Sequence, residues 1–404
     1  MKLHIFNPEH DIALAADMER FTAPHAGRQM RESLGFLPAF WANDGDMVLV
    51  DDVEAAHESV RHLKAYAHNV TFVSKDMLQD IKVLNKSGDS DTNTNDGDST
   101  HYPSDTGDTS YIDSIEPWGW DKTLRFQLAK ANPALAQLMP DAATLAFMRT
   151  LSSRRFAGSQ LLPWLVQLDS RLVGESRYCK CLDDVADAIK ANECYGTKAN
   201  GKSVIKAPWS CSGRGVRYVS GTLGQHEEGW VANIIRQQGG VTVEPLYQKV
   251  LDFGMEFYAD RTPDGGNRVR YCGLSLFDTS NGAYSGSILA TESDKREMLS
   301  RYVDLALADR VRDAIAGRLQ TLFDGKYTGA FGIDMMAVAD AQADGFRLHP
   351  CVELNLRRTM GHVALALSPD EYEPRRVMRI FYNAGKYKMR VSTTGENLLN
   401  TGLV

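Results

Sequence analysis

The sequence predicts an α/β protein: an N-terminal domain on a parallel sheet, then a strand-rich α+β remainder. Three observations predict it. Short apolar strands alternate with helical stretches over residues 3–74, the βαβ pattern that sets strands parallel. Strands crowd residues 241–354, interrupted by one long amphipathic helix. Between the two regions lies a polar tract, residues 87–110, with too few apolar side chains to offset the entropy of ordering.

Residues 3–6 read as the first strand, closed by Asn7-Pro8. Residues 47–50 read as the second, stopped by Asp51-Asp52, and residues 69–74 as the third, with a helix over 52–68. Helical signals return over 121–137 and 151–168. A strand over 174–181 and a helix to 192 follow, then strands over 203–206 and 215–219 and a helix near 230–238. Strands at 241–250, 255–260 and 268–277 precede a helix over 295–323. Two strands (330–338 and 346–354) and a helix over 360–367 close the series. The implied domains are 1–145, carrying a disordered acidic insertion at 87–110; 146–242; and 243–404.

Composition excludes several classes. With 43% hydrophobic and 24% charged residues the chain is an ordinary globular one, neither fibrous nor disordered. It has 45 Lys and Arg against 52 Asp and Glu, a net charge of −7 that argues against a nucleic-acid or anionic-membrane binder. Six of those seven charges are the aspartates at 89, 91, 96, 98, 105 and 108, so the rest of the chain is almost neutral. Scattered cysteines, no membrane span and no secretory signal predict a cytoplasmic protein.

Gly196 to Ser203 matches the P-loop pattern letter for letter, but a helix precedes it and a β-branched run ending in Pro208 follows. A phosphate-cradling P-loop needs the reverse order, so the segment reads as a helix-to-strand turn. More informative is Lys206, at a strand end before a Ser/Gly segment, Ser212-Gly213-Arg214-Gly215. Free N–H groups there can wrap phosphate oxygens while the lysine adds a point charge. Downstream, Glu244-Pro245-Leu246-Tyr247 forms a strand with an embedded proline, an edge or a hinge. Asp334 stands alone among apolar residues. Glu353 and Asn355, two apart at a strand end, point to one face. Together with Asp334 they make a hard-oxygen set suited to Mg²⁺.

Taken in order, these segments resemble the ATP-grasp superfamily over roughly residues 151–367. The resemblance implies a two-lobed ATP-grasp domain behind a pre-ATP-grasp-like α/β domain. It implies ATP held by Lys206, by Ser212 to Gly215 and by Glu244 to Tyr247, with Mg²⁺ on Asp334, Glu353 and Asn355. Arg357, with Arg358 as its alternate, would steady the transferring phosphoryl group beside Lys206. The family often carries an earlier phosphate-binding lysine; here Arg154 and Arg155 stand in its place, and the sequence does not choose between them. The implied reaction is ATP- and Mg²⁺-dependent activation of a small-molecule or peptide carboxylate as an acyl phosphate. An amine or other nucleophile then attacks it, forming a C–N or C–S bond. The alternatives are a small-molecule kinase of the same fold and a nucleotide-binding module without turnover. Asn7, His10, Asp11, His25 and Arg28, near the end of the first strand, are candidate substrate residues. The competing reading is that Asn7 and Asp11 merely cap the next helix. No nucleic-acid or membrane partner is expected, and a homodimer is left open.

Overall fold

The computed structural model describes residues 1–84, 111–194, 201–210, 215–280, 283–340 and 345–393. The acidic tract, most of the P-loop-like segment and Ser212, Gly213 and Arg214 lie outside these residues.

The N-terminal part is built on a parallel sheet with strand order Thr71–Val73, Met47–Leu49, Lys2–Ile5, Ser114–Pro117. The last strand was missing from the sequence reading. Its four residues, Ser-Ile-Glu-Pro, offer little apolar signal, and Pro117 is tolerated because the strand is an edge. The helix expected over 52–68 is shorter, Val53–Arg61, capped by Asp52, which accepts from the Ala55 N–H at 3.0 Å. The expected helix over 121–137 breaks at Pro133 into Lys122–Ala131 and a 3₁₀ stretch.

A small antiparallel sheet follows, in the order Arg177–Cys179, Val241–Pro245, Lys202–Lys206, Val216–Ser220. Helices Leu182–Cys194 and Gln225–Gln238 pack on it through Val185, Ile189, Val231 and Ile234. A helix precedes residues 196–203 and a strand follows, the opposite of P-loop order. The run expected as one strand over 241–250 is two. It ends in the small sheet at Pro245 and resumes at Lys249 in the next sheet.

That next sheet has seven antiparallel strands. Their order is Gly345–Asn355, Gly329–Asp340, Lys249–Arg261, Asn267–Ser280, Ala283–Leu289, Arg376–Asn383, Lys386–Thr393. Phe257 and Phe331 stack inside at 5.2 Å between centroids, both fully buried, with Phe323 edge-on to Phe331 at 5.3 Å. The helix expected over 295–323 is two, Glu292–Ser300 and Leu305–Phe323. Asp304 caps the second by accepting from the Ala306 and Leu307 N–H groups. The chain does not close on the helix Met360–Ala366. A basic hairpin, Arg376–Asn383 and Lys386–Thr393, follows it, turning through Ala384 (φ 51°) and Gly385 (φ 81°). Its charges hide a strand pattern in which Val377 and Met378 face the core.

Phe331→Ala should cost about 3–5 kcal/mol in urea unfolding, with a smaller loss for Phe331→Leu. A cost under about 1 kcal/mol for the alanine variant would show that this aromatic stack does not anchor the large sheet.

Candidate functional site

Register builds the site. On the large sheet Asp334 is paired with Glu353 on one side and with Gly254 on the other, while Gly332 is paired with Asn355 and Glu256. Directly opposed residues share a face, and so do residues two apart on one strand. Asp334, Glu353, Asn355 and Glu256 therefore occupy a single face, with Gly254 and Gly332 clearing space among them. Asn355 donates to Asp334 at 3.0 Å. Burial, reinforced by the opposed Glu353 carboxylate, raises the Asp334 carboxyl to about 7. An oxygen set of this composition fits a hard divalent cation such as Mg²⁺, whose charge would relieve that repulsion.

Three cations border the carboxylates. Arg154 reaches Glu353 at 2.9 Å and also donates to the Ala207 carbonyl (2.9 Å) and Ser210 Oγ (2.7 Å). It thereby ties the large sheet to the segment following Lys206. Arg155 instead lies over the Tyr178 ring at 4.7 Å, so Arg154 is the arginine that faces the site. Lys206, on the small sheet, donates to Glu244 Oε2 at 2.6 Å, and both are buried. An ammonium has three N–H donors, so this pair leaves donors to spare. Arg357 grips Asp11 in a two-pronged fork, Nε to Oδ1 at 3.0 Å and Nη2 to Oδ2 at 2.8 Å. Burial alone would raise the Asp11 carboxyl, but the Arg357 guanidinium outweighs it and holds it below the usual range.

The other sequence candidates are placed as follows. The Leu246 N–H donates to the Lys202 carbonyl at 2.9 Å, securing the chain just past Pro245. Tyr247 is buried against His349, 5.5 Å between rings, beside Val173 and Val338. Gly215 opens the strand after the undescribed segment, and its carbonyl accepts from the Ala207 N–H at 2.8 Å. Asn7 exchanges hydrogen bonds with the Gly119 backbone at 2.9 and 3.3 Å, and His10 pairs with Asp121 at 3.2 Å. Both Asn7 and His10 are buried and engaged in holding the end of the parallel sheet. His25 and Arg28, on helix His25–Leu34, are exposed. Arg358 diverges from Arg357 and points to Glu116 at 3.5 Å, with Trp41 beneath it at 4.6 Å.

The sequence reading missed Glu256, Thr359 and His362. Glu256 is buried to 2% exposure, and the Thr359 hydroxyl donates to its Oε2 at 2.8 Å. His362 Nε2 lies 3.1 Å from the Phe257 carbonyl, and its Nδ1 lies 3.1 Å from Glu256 Oε2. Burial lowers the His362 ring to about 3, keeping it neutral, and raises Glu256 to about 8. The consistent assignment gives Nε2 the ring proton, donated to the Phe257 carbonyl, and leaves Nδ1 to accept from the Thr359 N–H at 3.2 Å. Thr359 also caps the helix Met360–Ala366, so Glu256 fastens the segment that carries Arg357. There is no room for more: a Cβ on Gly361 would sit 1.8 Å from Glu256 Oε1. The signal was present as a lone glutamate inside an apolar strand, Gly254 to Phe257. His349 was also passed over; it is fully buried with both ring nitrogens unpartnered among the described residues.

No protein-family model matches the chain, and no curated protein matches it in sequence. Solved structures similar to it include N5-carboxyaminoimidazole synthetase from Staphylococcus aureus complexed with ADP. The TM-score is 0.45 at 10% identity, over 94% of this chain and 82% of that one. A biotin carboxylase–β,γ-ATP complex from Campylobacter jejuni gives a TM-score of 0.43 at 12% identity, over 94% of this chain and 75% of the other. A protein from Archaeoglobus fulgidus described as an ATP-grasp superfamily member gives 0.39 at 13%, over 97% and 99%. Likenesses this distant assign no function.

Because Glu256 holds its proton to about 8 when folded, against an ordinary 4.5, it stabilises fully below pH 4.5 and loses that contribution as pH rises through 8. Relative to wild type, the melting temperature of Glu256→Gln should rise as pH increases from 4.5 to 8 and level off above it. An offset that is constant with pH would refute the buried proton.

Proposed function

We propose that the chain is an ATP- and Mg²⁺-dependent ligase that activates a carboxylate as an acyl phosphate and passes it to an amine or other nucleophile. The observation that carries this is the sheet face on which Asp334, Glu353 and Asn355 converge, bordered by Arg154, Lys206 and Arg357. Hard oxygen ligands beside converging cations suit the transfer of a phosphoryl group, a reaction that asks the protein chiefly for positioning and charge neutralisation.

In this reading Asp334, Glu353 and Asn355 hold Mg²⁺, which supplies charge neutralisation on the phosphate oxygens. Lys206 contacts phosphate while Glu244 fixes its direction. Arg154, already bonded to Glu353, sits where it can contact a phosphate and the metal-binding carboxylate together. Arg357 faces the N-terminal part through Asp11, so an acceptor carboxylate lying between the two would meet a guanidinium. The segment from Pro245 to Tyr247, where the small sheet gives way to the large one, would take the adenine. The acceptor's oxygen attacks the terminal phosphorus and ADP leaves; the nucleophile then attacks the acyl carbon and phosphate leaves. Water must be kept out, since it would hydrolyse the acyl phosphate. The domain division 1–145, 146–242 and 243–404 is part of the same proposal.

Incubation with ATP, Mg²⁺ and pooled metabolite carboxylates should release ADP, and hydroxylamine should trap a hydroxamate. A phosphorylated product without hydroxamate would replace the ligase with a kinase. Glu353→Gln should lower ADP release by roughly 100-fold or more, since it removes a metal-binding charge. Survival of turnover in that variant would sink the metal assignment. Lys206→Ala should raise the KM for ATP more than it lowers kcat, read from initial rates across ATP concentrations.

A further inference from the structure

A cavity of about 570 Å³ is lined by Arg358. Its walls are the edge strand Ser114–Pro117, the segment 137–140 and the loop 324–330. Arg358 is its notable feature. The side chain is only 11% exposed, yet among the described residues its one side-chain hydrogen bond is the 3.5 Å contact to Glu116, at the outer limit for such a bond. Glu116 is already engaged by Lys2 and by the Tyr258 hydroxyl at 2.9 Å. A guanidinium carries five N–H donors in a planar fork, so most of the donors of Arg358 are unspent. Trp41, under its face at 4.6 Å, holds the plane in place.

The surroundings favour an anion. Lys2, Arg261 and Lys326 also line the cavity, against Asp113, Glu116 and Asp324. Asp113 is neutralised by the Met1 α-amino group at 2.8 Å, Glu116 by Lys2, and Asp324 faces Lys326 at 3.8 Å, which leaves Arg261 and Arg358 as the cations in excess among the described lining residues. Trp118, Trp120, Leu138, Met139 and Met148 form an apolar part of a wall that also carries Gln137, Thr144 and Tyr258. Burial lowers the Arg358 guanidinium from its ordinary value, the mark of a cation short of counter-charge.

We propose that this cavity is a binding site for a small amphipathic anion, with a carboxylate or phosphate head on the Arg358 fork and an apolar body against Trp118, Trp120 and Met139. The cavity adjoins the proposed phosphoryl-transfer centre only at Leu356, between Asn355 and Arg357, and extends away from it along the large sheet. Tyr258, on its wall, lies four residues along the strand from Gly254, the residue paired with Asp334, about 13 Å at 3.3 Å per residue.

The test is titration of the full chain, without nucleotide, with 3-phenylpropanoate, phenyl phosphate and the neutral 3-phenylpropanamide, followed by calorimetry and tryptophan fluorescence. At least one anion should bind saturably, and the tighter of the two identifies the head group. The amide should bind roughly tenfold more weakly or not at all. Arg358→Met should weaken the anion by roughly tenfold. Thr144→Phe, which fills the cavity from the helix Ala142–Leu151 and leaves every cation of the wall in place, should abolish binding and serves if Arg358→Met does not fold. Equal binding of amide and anions, no saturable binding, or binding that survives Thr144→Phe would overturn the proposal. Since nucleotide takes no part, none of these outcomes bears on the ligase reading.

Discussion

Buried negative charge is the constraint around which the rest of this molecule is arranged. The pairing of Asp334 with Glu353, and of Glu256 with Gly332 one row along, sets three carboxyl groups on one sheet face. Opposed carboxylates with Cβ atoms about 5 Å apart repel by roughly 3 kcal/mol at an effective dielectric of 20. Each is therefore answered differently. Glu353 receives Arg154, Glu256 keeps a proton and accepts from the Thr359 hydroxyl, and Asp334 is left with an amide from Asn355. The residue that remains under-compensated is the one best placed for a cation.

That constraint also explains how the parts are joined. Arg154 links Glu353 to Ala207 and Ser210, so the small and large sheets meet through one guanidinium. Arg357 does the same for the N-terminal part through Asp11. The charged groups proposed for chemistry are thus also the fasteners between the three sheets. Glycines at 254, 332 and 361 make this possible, because side chains there would collide with Glu256 or crowd it.

Much of this was legible in sequence, for identifiable reasons. The parallel sheet announced itself by alternation, and Asp334, Glu353 and Asn355 stood out as polar residues in apolar strands. What stayed hidden depends on tertiary pairing. Strand Ser114–Pro117 exists because Lys2–Ile5 offers an edge, and the closing hairpin because Ala283–Leu289 does. The capping roles of Asp141 and Asp304 went unread, so one helix was missed and another was drawn too long. Glu256 was visible, but its meaning comes from Thr359 and His362, more than a hundred residues away in the chain. Asn7 and His10 looked like substrate groups because they end a strand. Their neighbours Gly119 and Asp121 could be known only from the fold.

The closing hairpin bears on how the chain is made. The apolar cluster around Phe6, Leu34 and Val48 is completed by Leu289, Val363 and Met378, with Met389 and Val391 against it. The Tyr387 N–H reaches Ser33, on a helix laid down at the start of the chain. During synthesis the parallel sheet therefore emerges with one flank uncovered until the hairpin of Arg376–Asn383 and Lys386–Thr393 follows. Vectorial folding from the N-terminus, the usual route for chains of this length, can assemble this sheet but cannot seal it. This sheet is thus made before the hairpin that covers it and is among the last parts to be finished.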